Sequence, residues 1–170
     1  MAKVSIIGTG TWGIALGMVL AQNGHEVTAW SALPKEIEAL RECKNLPGVE
    51  IPRSIVFTAD LQEACTDKEM LVLSVPSVFT RGVAKQMNPF VKEGQLIVSV
   101  AKGIEEKTLM TMSQQIEEEL PMANVAVLSG PSHAEEVSRG IPTTVVAGAK
   151  DRQTAEHIQN LFMSSVFRVY

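Results

Sequence analysis

Residues 3–13 read KVSIIGTGTWG, and no other part of the sequence says more about the fold. Its first part, Lys3–Ile7, is a short apolar run of the kind that is typical of a buried β-strand. The GTGTWG that follows, residues 8–13, matches the pattern G-x-G-x-x-G, which indicates little when it stands alone. Here it leads into Thr11–Asn23, a predicted helix. Strand, glycine loop and helix together predict the first βα unit of a Rossmann-type dinucleotide-binding domain.

Each glycine of this loop has its own physical task. Gly8 permits the tight turn off the strand, Gly10 lets the backbone approach a pyrophosphate, and Gly13 lets the helix pack close to the sheet. The helix start adds unpaired N–H groups and a partial positive charge, both of which favour phosphate. The alternative is a tight βα turn that binds nothing. Trp12 has two open roles, which are covering a bound cofactor and packing against a neighbouring loop.

The end of the second predicted strand bears on the choice between NAD and NADP. Rossmann domains that prefer NAD often carry Asp or Glu there, which binds the ribose 2′-hydroxyl. In this chain Glu26–Trp30 is followed by Ser31 and Ala32, so neither an acid nor an arginine is present. Ser31 could donate to a phosphate or a hydroxyl, with Lys35 in reach, or it could be a turn residue without a ligand. The missing acid favours NADP and leaves NAD open.

Apolar runs alternate with longer helical segments along the rest of the chain, which predicts a doubly wound α/β fold with a mostly parallel sheet and helices on both faces. The predicted strands are Lys3–Ile7, Glu26–Trp30, Met70–Val75, Leu96–Val100, Ala126–Ser129, Thr143–Ala147 and Val166–Tyr170. The predicted helices are Thr11–Asn23, Pro34–Cys43, Asp60–Ala64, Phe79–Met87, Glu106–Glu118, Ala134–Arg139 and Arg152–Phe162. Residues 45–52, with two prolines and a glycine, are predicted as a loop within the domain.

Polar residues follow several strands of the second half, where ligands of open α/β sheets bind. Ser77 follows Met70–Val75 and could present its hydroxyl to a cofactor, although a Pro-Ser turn also occurs without a ligand. Lys102 follows Leu96–Val100, where its charge could bind a phosphorylated substrate or polarise a carbonyl; the alternative is an exposed lysine. Ser132 precedes a short helix and offers a second anion or substrate site.

The bulk properties exclude several classes of protein. The 170 residues fit one domain, residues 1–170, and 45% hydrophobic with 20% charged residues is typical of a globular chain. A net charge of −4 without a basic stripe argues against nucleic acid. Cys43 and Cys65 lack metal-ligand spacing, so we expect no metal site and reduced thiols, which favours the cytoplasm. We expect neither a signal peptide nor a membrane span.

Taken together, the motifs resemble the bacterial type of the NAD(P)-dependent glycerol-3-phosphate dehydrogenase family. The likeness extends over the whole chain with the motifs in the expected order, which is more specific than the glycine loop alone. The motifs are GTGTWG at 8–13, NLPG at 45–48, VPS at 75–77, AKG at 101–103, GPSHAEEV at 130–137 and GIPT at 140–143.

The resemblance implies an oxidoreductase that interconverts sn-glycerol 3-phosphate and dihydroxyacetone phosphate by hydride transfer with NADP or NAD, for phospholipid synthesis in the cytoplasm. It implies that Lys102 touches both cofactor and substrate, and we predict this lysine to be catalytic. The predicted cofactor contacts are Gly8, Gly10, Thr11, Trp12, Gly13, Ser31, Ser77, Lys102 and Ala134. The predicted substrate contacts are Lys102, Gly130 and Ser132.

Two departures from the family pattern matter. The family often has His or Arg after the second strand, where this chain has Ala32, and this puts NADP preference in doubt. Family members are also about twice as long, in line with a second domain of ordinary size. We therefore expect a C-terminal helical domain, with a second catalytic lysine, to be absent from this chain, and we expect these 170 residues to bind cofactor but turn over little.

The same residues are compatible with other interpretations. A β-hydroxyacid dehydrogenase or a ketopantoate reductase would share the fold and the glycine loop. A non-catalytic dinucleotide-binding module is a further alternative. A homodimer is possible, because an apolar face around the last strand could promote self-association.

Overall fold

The computed structural model describes residues 1–43, 45–46 and 49–170. The strands in these ranges are β1 (Lys3–Ile7), β2 (Glu26–Trp30), β3 (Asn45–Leu46), β4 (Val49–Glu50), β5 (Val56–Thr58), β6 (Met70–Leu73), β7 (Leu96–Ser99), β8 (Asn124–Ser129), β9 (Thr143–Gly148) and β10 (Phe167–Val169). The helices are α1 (Thr11–Gln22), α2 (Pro34–Cys43), α3 (Leu61–Cys65), α4 (Ser77–Met87), α5 (Met112–Glu119), α6 (Ala134–Ser138) and α7 (Arg152–Phe162), with a 3-10 turn at Asn88–Phe90.

Eight strands form one sheet in the order β10-β9-β8-β7-β6-β1-β2-β5. Neighbouring strands are parallel except β8 and β9, which are antiparallel. The strand order reverses at β1, which has β2 on one side and β6 on the other. In doubly wound sheets, ligands bind beyond the carboxyl ends of the strands at such a reversal. The predicted Rossmann-type, mostly parallel sheet is therefore confirmed.

The central strand β1 is covered on both faces of the sheet. Ile6 belongs to one apolar cluster, together with Leu16 of α1, and Ile7 belongs to a second cluster, together with Val83 of α4. Successive side chains of a strand point to opposite faces, so the two isoleucines separate two core layers. Both are fully buried. Helices therefore lie on both faces of the sheet, as predicted.

The fifth helix is shorter than predicted. We expected Glu106–Glu118, but the helix begins at Met112, with Thr111 as its N-cap. Thr111 and Gln114 form a capping box, in which the side chain of each accepts a hydrogen bond from the backbone N–H of the other. Leu109, just upstream, has a φ of 61°, which lies outside the right-handed helical region. The helical pattern of the sequence is therefore interrupted before the cap.

The segment between α2 and α3 contains short strands that the sequence did not predict. β5 is the edge strand beside β2. Residues 45–52 were predicted as a loop, but β3 and β4 pair there as an antiparallel hairpin. Residues 44, 47 and 48 lie outside the described residues, so the structure does not test that part of the loop. Strands of two or three residues are too short to leave a periodic pattern.

Candidate functional site

The glycine loop after β1 is fixed against the strands on either side. Gly8 has a φ of 118°, in the left-handed region, and its N–H donates to the Trp30 carbonyl oxygen at 2.9 Å. A Cβ atom at Gly8 would lie 2.8 Å from the Val75 nitrogen, and one at Gly13 would lie 2.2 Å from the Gly8 carbonyl oxygen. Both approaches are closer than any side chain permits. The loop therefore requires glycine at these two positions.

Gly10, in contrast, faces open space. A Cβ atom built there has no atom within 4 Å, and Gly10 is the N-cap of α1. No acidic residue lies in the first turn of this helix and no side chain caps it. The N–H groups of an uncapped first turn lack partners within the helix and carry its partial positive charge. A small open cradle thus lies against a positive helix end, which is the arrangement that a diphosphate requires.

Two cavities meet at this cradle. The first has a volume of about 520 Å³ and extends toward β2, while the second has a volume of about 440 Å³ and extends toward β7 and α6. Both are lined by Gly10 and by Ser74, Val75 and Pro76 of the β6–α4 connection. The walls therefore come from the carboxyl ends of neighbouring parallel strands on either side of β1. An elongated ligand with a central diphosphate would extend into both cavities.

The second cavity brings together predicted site residues from the glycine loop and from the ends of later strands. It is lined by Thr11, Trp12, Ser77, Lys102, Ser132 and Ala134. The Lys102 ammonium donates to the Gly130 carbonyl oxygen at 3.2 Å, and the Ser132 hydroxyl donates to the same oxygen at 3.3 Å. Gly103 lets the loop pass close to Ser77, because a Cβ there would lie 3.1 Å from the Ser77 Cβ. The predicted residues are therefore brought together in space.

Two residues that line the cavities each carry a buried polar atom with no partner among the described residues. Thr9 is 6% exposed and lines the first cavity, yet its hydroxyl has no hydrogen-bond partner among the described residues. Trp12 lines the second cavity, and its indole Nε1 is likewise buried without a partner in the part of the chain that the structure describes. Buried polar atoms without partners carry a free-energy cost unless a ligand or water satisfies them. Thr9 was not among the predicted site residues, because a hydroxyl inside a glycine loop carries no sequence signal of its own.

No acidic residue follows β2 directly in the sequence, but in the structure a carboxylate lies beside Ser31. Ser31 lines the first cavity, and its hydroxyl donates to the Glu36 carboxylate at 2.5 Å and accepts from the Leu33 N–H at 3.1 Å. Glu36 also lines the cavity, so an acid is present at this edge although none follows β2 directly. Lys35 is exposed and is not among the residues that line either cavity. Sequence reasoning missed Glu36, whose only signal was its place in the first turn of α2.

An ion-pair cluster fixes the loop that follows Lys102. Arg81 of α4 donates to both carboxylate oxygens of Glu105 at 2.8 Å and also pairs with Glu118 and Glu119 near the end of α5. Hydrogen bonds from Arg81, and then from Thr108, lower the pKa of Glu105 to about 2. The cluster ties the start of the loop to two helices. It therefore restrains the segment that carries Lys102.

Two further properties bear on possible ligands. None of the helices in the described ranges is both long and apolar enough to cross a membrane. The structure also holds no cluster of three or more His, Cys, Asp or Glu side chains, among the residues it describes, that could bind a metal ion.

Comparison with known sequences agrees with the motif-based resemblance. The family model described as the NAD-dependent glycerol-3-phosphate dehydrogenase N-terminus matches residues 3–155. The chain is 60% identical over 174 residues to an NAD(P)+ glycerol-3-phosphate dehydrogenase of Agathobacter rectalis, and 51% identical over 176 residues to one of Fusobacterium nucleatum. Each alignment covers 100% of this chain and 52% of the relative. The chain thus spans about half the length of the curated relatives it matches.

Comparison with solved structures gives the same family. The crystal structure of glycerol-3-phosphate dehydrogenase from Coxiella burnetii superposes with a TM-score of 0.91 at 27% identity, over 99% of this chain and 53% of that one. The Dunaliella salina glycerol-3-phosphate dehydrogenase shares the fold with a TM-score of 0.89 at 24% identity, over 99% of this chain and 33% of that one. From the family match, the close relatives and the glycine-loop geometry, we conclude that this chain belongs to the NAD-dependent glycerol-3-phosphate dehydrogenase family and corresponds to its N-terminal region.

Proposed function

We propose that this protein interconverts sn-glycerol 3-phosphate and dihydroxyacetone phosphate with NAD or NADP, and so supplies glycerol phosphate for phospholipid synthesis. The observation that carries the proposal is the open cradle at Gly10, which joins two cavities at the strand-order reversal. The 60% identity to the Agathobacter rectalis enzyme supports this substrate over the hydroxyacid and ketopantoate alternatives.

The residues of the glycine loop would hold the diphosphate of the cofactor. The N–H groups at the start of α1, including those of Thr11 and Trp12, supply hydrogen-bond donors and positive potential. Gly8 and Gly13 keep the loop tight, and Gly10 leaves the room that the phosphates need. Thr9 lines the first cavity and its buried hydroxyl has no partner among the described residues, so it is a further candidate donor.

The second cavity would hold the reacting groups. Ser77, Lys102 and Ala134 would contact the cofactor, and Lys102, Gly130 and Ser132 would contact the substrate. The nicotinamide supplies the hydride for reduction of the ketone. The Lys102 ammonium, which donates to the Gly130 carbonyl, would stabilise negative charge that develops on the substrate oxygen or pair with the substrate phosphate.

We further propose that the protein acts in the cytoplasm and that it forms a homodimer. The buried Cys65 thiol, which forms no disulfide, supports a reducing compartment. The exposed apolar side chains of Val146 and Tyr170, near the edge of the sheet, support self-association. Light scattering on the purified protein tests the dimer, and a mass equal to one chain would refute it.

Substrate profiling tests the proposed activity. With the full protein and NADH or NADPH, we expect nucleotide oxidation with dihydroxyacetone phosphate and little with unphosphorylated dihydroxyacetone or with ketopantoate. The phosphate discriminates because the Lys102 ammonium forms a stronger, charge-assisted hydrogen bond with a charged ligand than with a neutral one. Equal rates with phosphorylated and unphosphorylated ketones, or a preference for ketopantoate, would refute the proposal.

A further inference from the structure

The first cavity contains a carboxylate that the strand-end pattern did not reveal. Glu36 lies in the first turn of α2, half-buried, and one of its oxygens accepts the Ser31 hydroxyl hydrogen at 2.5 Å. Its other oxygen, Oε1, accepts no hydrogen bond from the described residues. The carboxylate therefore has one oxygen fixed by the protein and one oxygen free to accept from a ligand.

Ser31 holds this carboxylate in place. Ser31 is 6% exposed, follows β2 directly and also accepts the Leu33 N–H at 3.1 Å. Its single hydroxyl hydrogen is given to Glu36, so the hydroxyl is not free to donate to a phosphate at the same time. Ser31 thus acts as a positioning residue for Glu36.

The helix that carries Glu36 is anchored against the sheet. Ile37, the next residue, is 3% exposed and packs in the core. Arg41, further along the same helix, donates to the Phe57 carbonyl oxygen of β5 at 2.6 Å and 3.2 Å. Because side chain and backbone are both restrained, Glu36 is a fixed negative charge of the cavity wall.

No cation among the described residues of the cavity wall offsets this charge. The described residues that line the first cavity include Glu36 and no lysine or arginine. Lys35 is exposed and lies outside the lining, and the Arg41 guanidinium is directed at the Phe57 carbonyl. A ligand group that enters beside Ser31 therefore meets negative potential.

We propose that Glu36, oriented by Ser31, makes this protein select a dinucleotide with a free ribose 2′-hydroxyl over one with a 2′-phosphate, so that NAD(H) binds more tightly than NADP(H). The proposal rests on the proposed function, because it assumes that the first cavity holds the adenosine end of the cofactor. A carboxylate accepts a hydrogen bond from a hydroxyl, whereas a phosphate offers only acceptor oxygens and nearly two negative charges. This preference for NAD(H) is opposite to the preference for NADP that the absence of an acid after β2 indicated.

Equilibrium titration measures the selectivity without turnover. Binding of NADH and of NADPH is followed by calorimetry for the wild type, for Glu36→Gln and for Glu38→Gln, an exposed glutamate on the same helix outside the cavity lining. A charge–charge contact changes an affinity roughly fivefold in bulk water and by more near a protein surface, so we expect the wild type to bind NADH about tenfold or more tightly than NADPH. Glu36→Gln should lower this ratio about tenfold, mainly through tighter NADPH binding, because the repulsion is removed.

Two further results are expected. Glu38→Gln should leave the ratio at the wild-type value, which excludes a general effect of net charge. Ser31→Ala should also lower the ratio, because a carboxylate without its positioning partner can turn away from the ligand; a purely structural role of Ser31 would weaken both nucleotides equally.

The outcomes separate the inference from the proposed function. If neither nucleotide binds the wild type, the cofactor site and the proposed function both fail. If both nucleotides bind with equal affinity, or if Glu36→Gln and Glu38→Gln give the same ratio, the selectivity role of Glu36 is overturned while the proposed function stands.

Discussion

The first and last glycines of the loop after β1 are in direct contact, since a Cβ atom at Gly13 would lie only 2.2 Å from the Gly8 carbonyl oxygen. The same Cβ atom would lie 2.4 Å from the Ser74 Oγ, and the Ser74 hydroxyl donates to the Gly8 carbonyl at 2.8 Å. The start of α1, the loop and the end of β6 therefore form one packed unit. This unit sets the position of the helix N-terminus at the centre of the site.

Substitution of Gly13 tests this packing through stability. Gly13→Ala introduces a methyl group where no space exists, so we expect the free energy of unfolding to fall by about 1–3 kcal/mol. Gly82→Ala in α4 is the control, because a Cβ there meets no atom within 4 Å and alanine favours a helix interior. Urea denaturation measures both variants. Equal stability of the two would show that the loop is not tightly packed.

Removal of the Lys102 charge tests the second cavity. Lys102→Met keeps the length of the side chain but removes the ammonium that faces Gly130, so we expect kcat/KM of the full protein to fall about 100-fold or more. The thermal midpoint should change little. Lys92→Met, at an exposed ion pair with Asp67, is the control and should retain full activity. Retention of activity by Lys102→Met would remove the lysine from the mechanism.

The Arg81–Glu105 pair predicts a defined pH dependence of stability. The pKa of Glu105 is lowered from 4.5 to about 2, chiefly by hydrogen bonds from Arg81. A carboxyl with a lowered folded-state pKa contributes its full stabilisation above its unfolded pKa and loses it as pH falls through the folded value. The difference in thermal midpoint between wild type and Glu105→Gln should thus be constant above pH 4.5 and shrink as pH falls toward 2.

Wild type and Glu105→Gln share all their other carboxyls, so the contribution of those carboxyls is removed when the two thermal midpoints are subtracted. A difference that stays the same down to the acid limit would contradict the assigned pKa of Glu105. Glu93→Gln, which removes an exposed carboxyl elsewhere, controls for the loss of one negative charge.

Cys65 is expected to be unreactive in the folded protein. Burial raises the pKa of its thiol to about 12, against a smaller opposing effect of Lys68, and the thiolate is the reactive form. At pH 8 we expect iodoacetamide to leave Cys65 unmodified in native protein and to modify it fully in denaturant, as measured by peptide mass mapping. Rapid labelling in the native state would mean that α3 opens readily.

The sequence predicted those parts of the fold in which local pattern and tertiary packing agree. The bounds of α2 and α7 match the structure, and β1 and β2 were predicted residue for residue. The start of α5 was wrong, because the positive φ at Leu109 and the Thr111 cap override the helical propensity of the preceding residues. No sequence period marks β5, whose position depends on pairing with β2.

The candidate site was predictable where backbone geometry dictates residue type. Gly8 and Gly13 are required by close approach, so a glycine pattern reveals them. The Ser31–Glu36 contact joins a strand end to a helix five residues later, and only the path of the intervening turn brings the two side chains together. Sequence reasoning considered the residues that follow β2 and therefore missed a carboxylate supplied by α2.

We propose that the backbone amides of residues 8–13 hold the diphosphate of the cofactor, and an NMR titration of ¹⁵N-labelled protein with NADH measures this contact residue by residue. We expect this contact to give saturable shifts that are largest at the amides of Gly10, Thr11, Trp12 and Gly13 and at the Trp12 indole, with the amides of β10 unchanged. Absence of saturable shifts, or shifts that cluster away from the glycine loop, would contradict it.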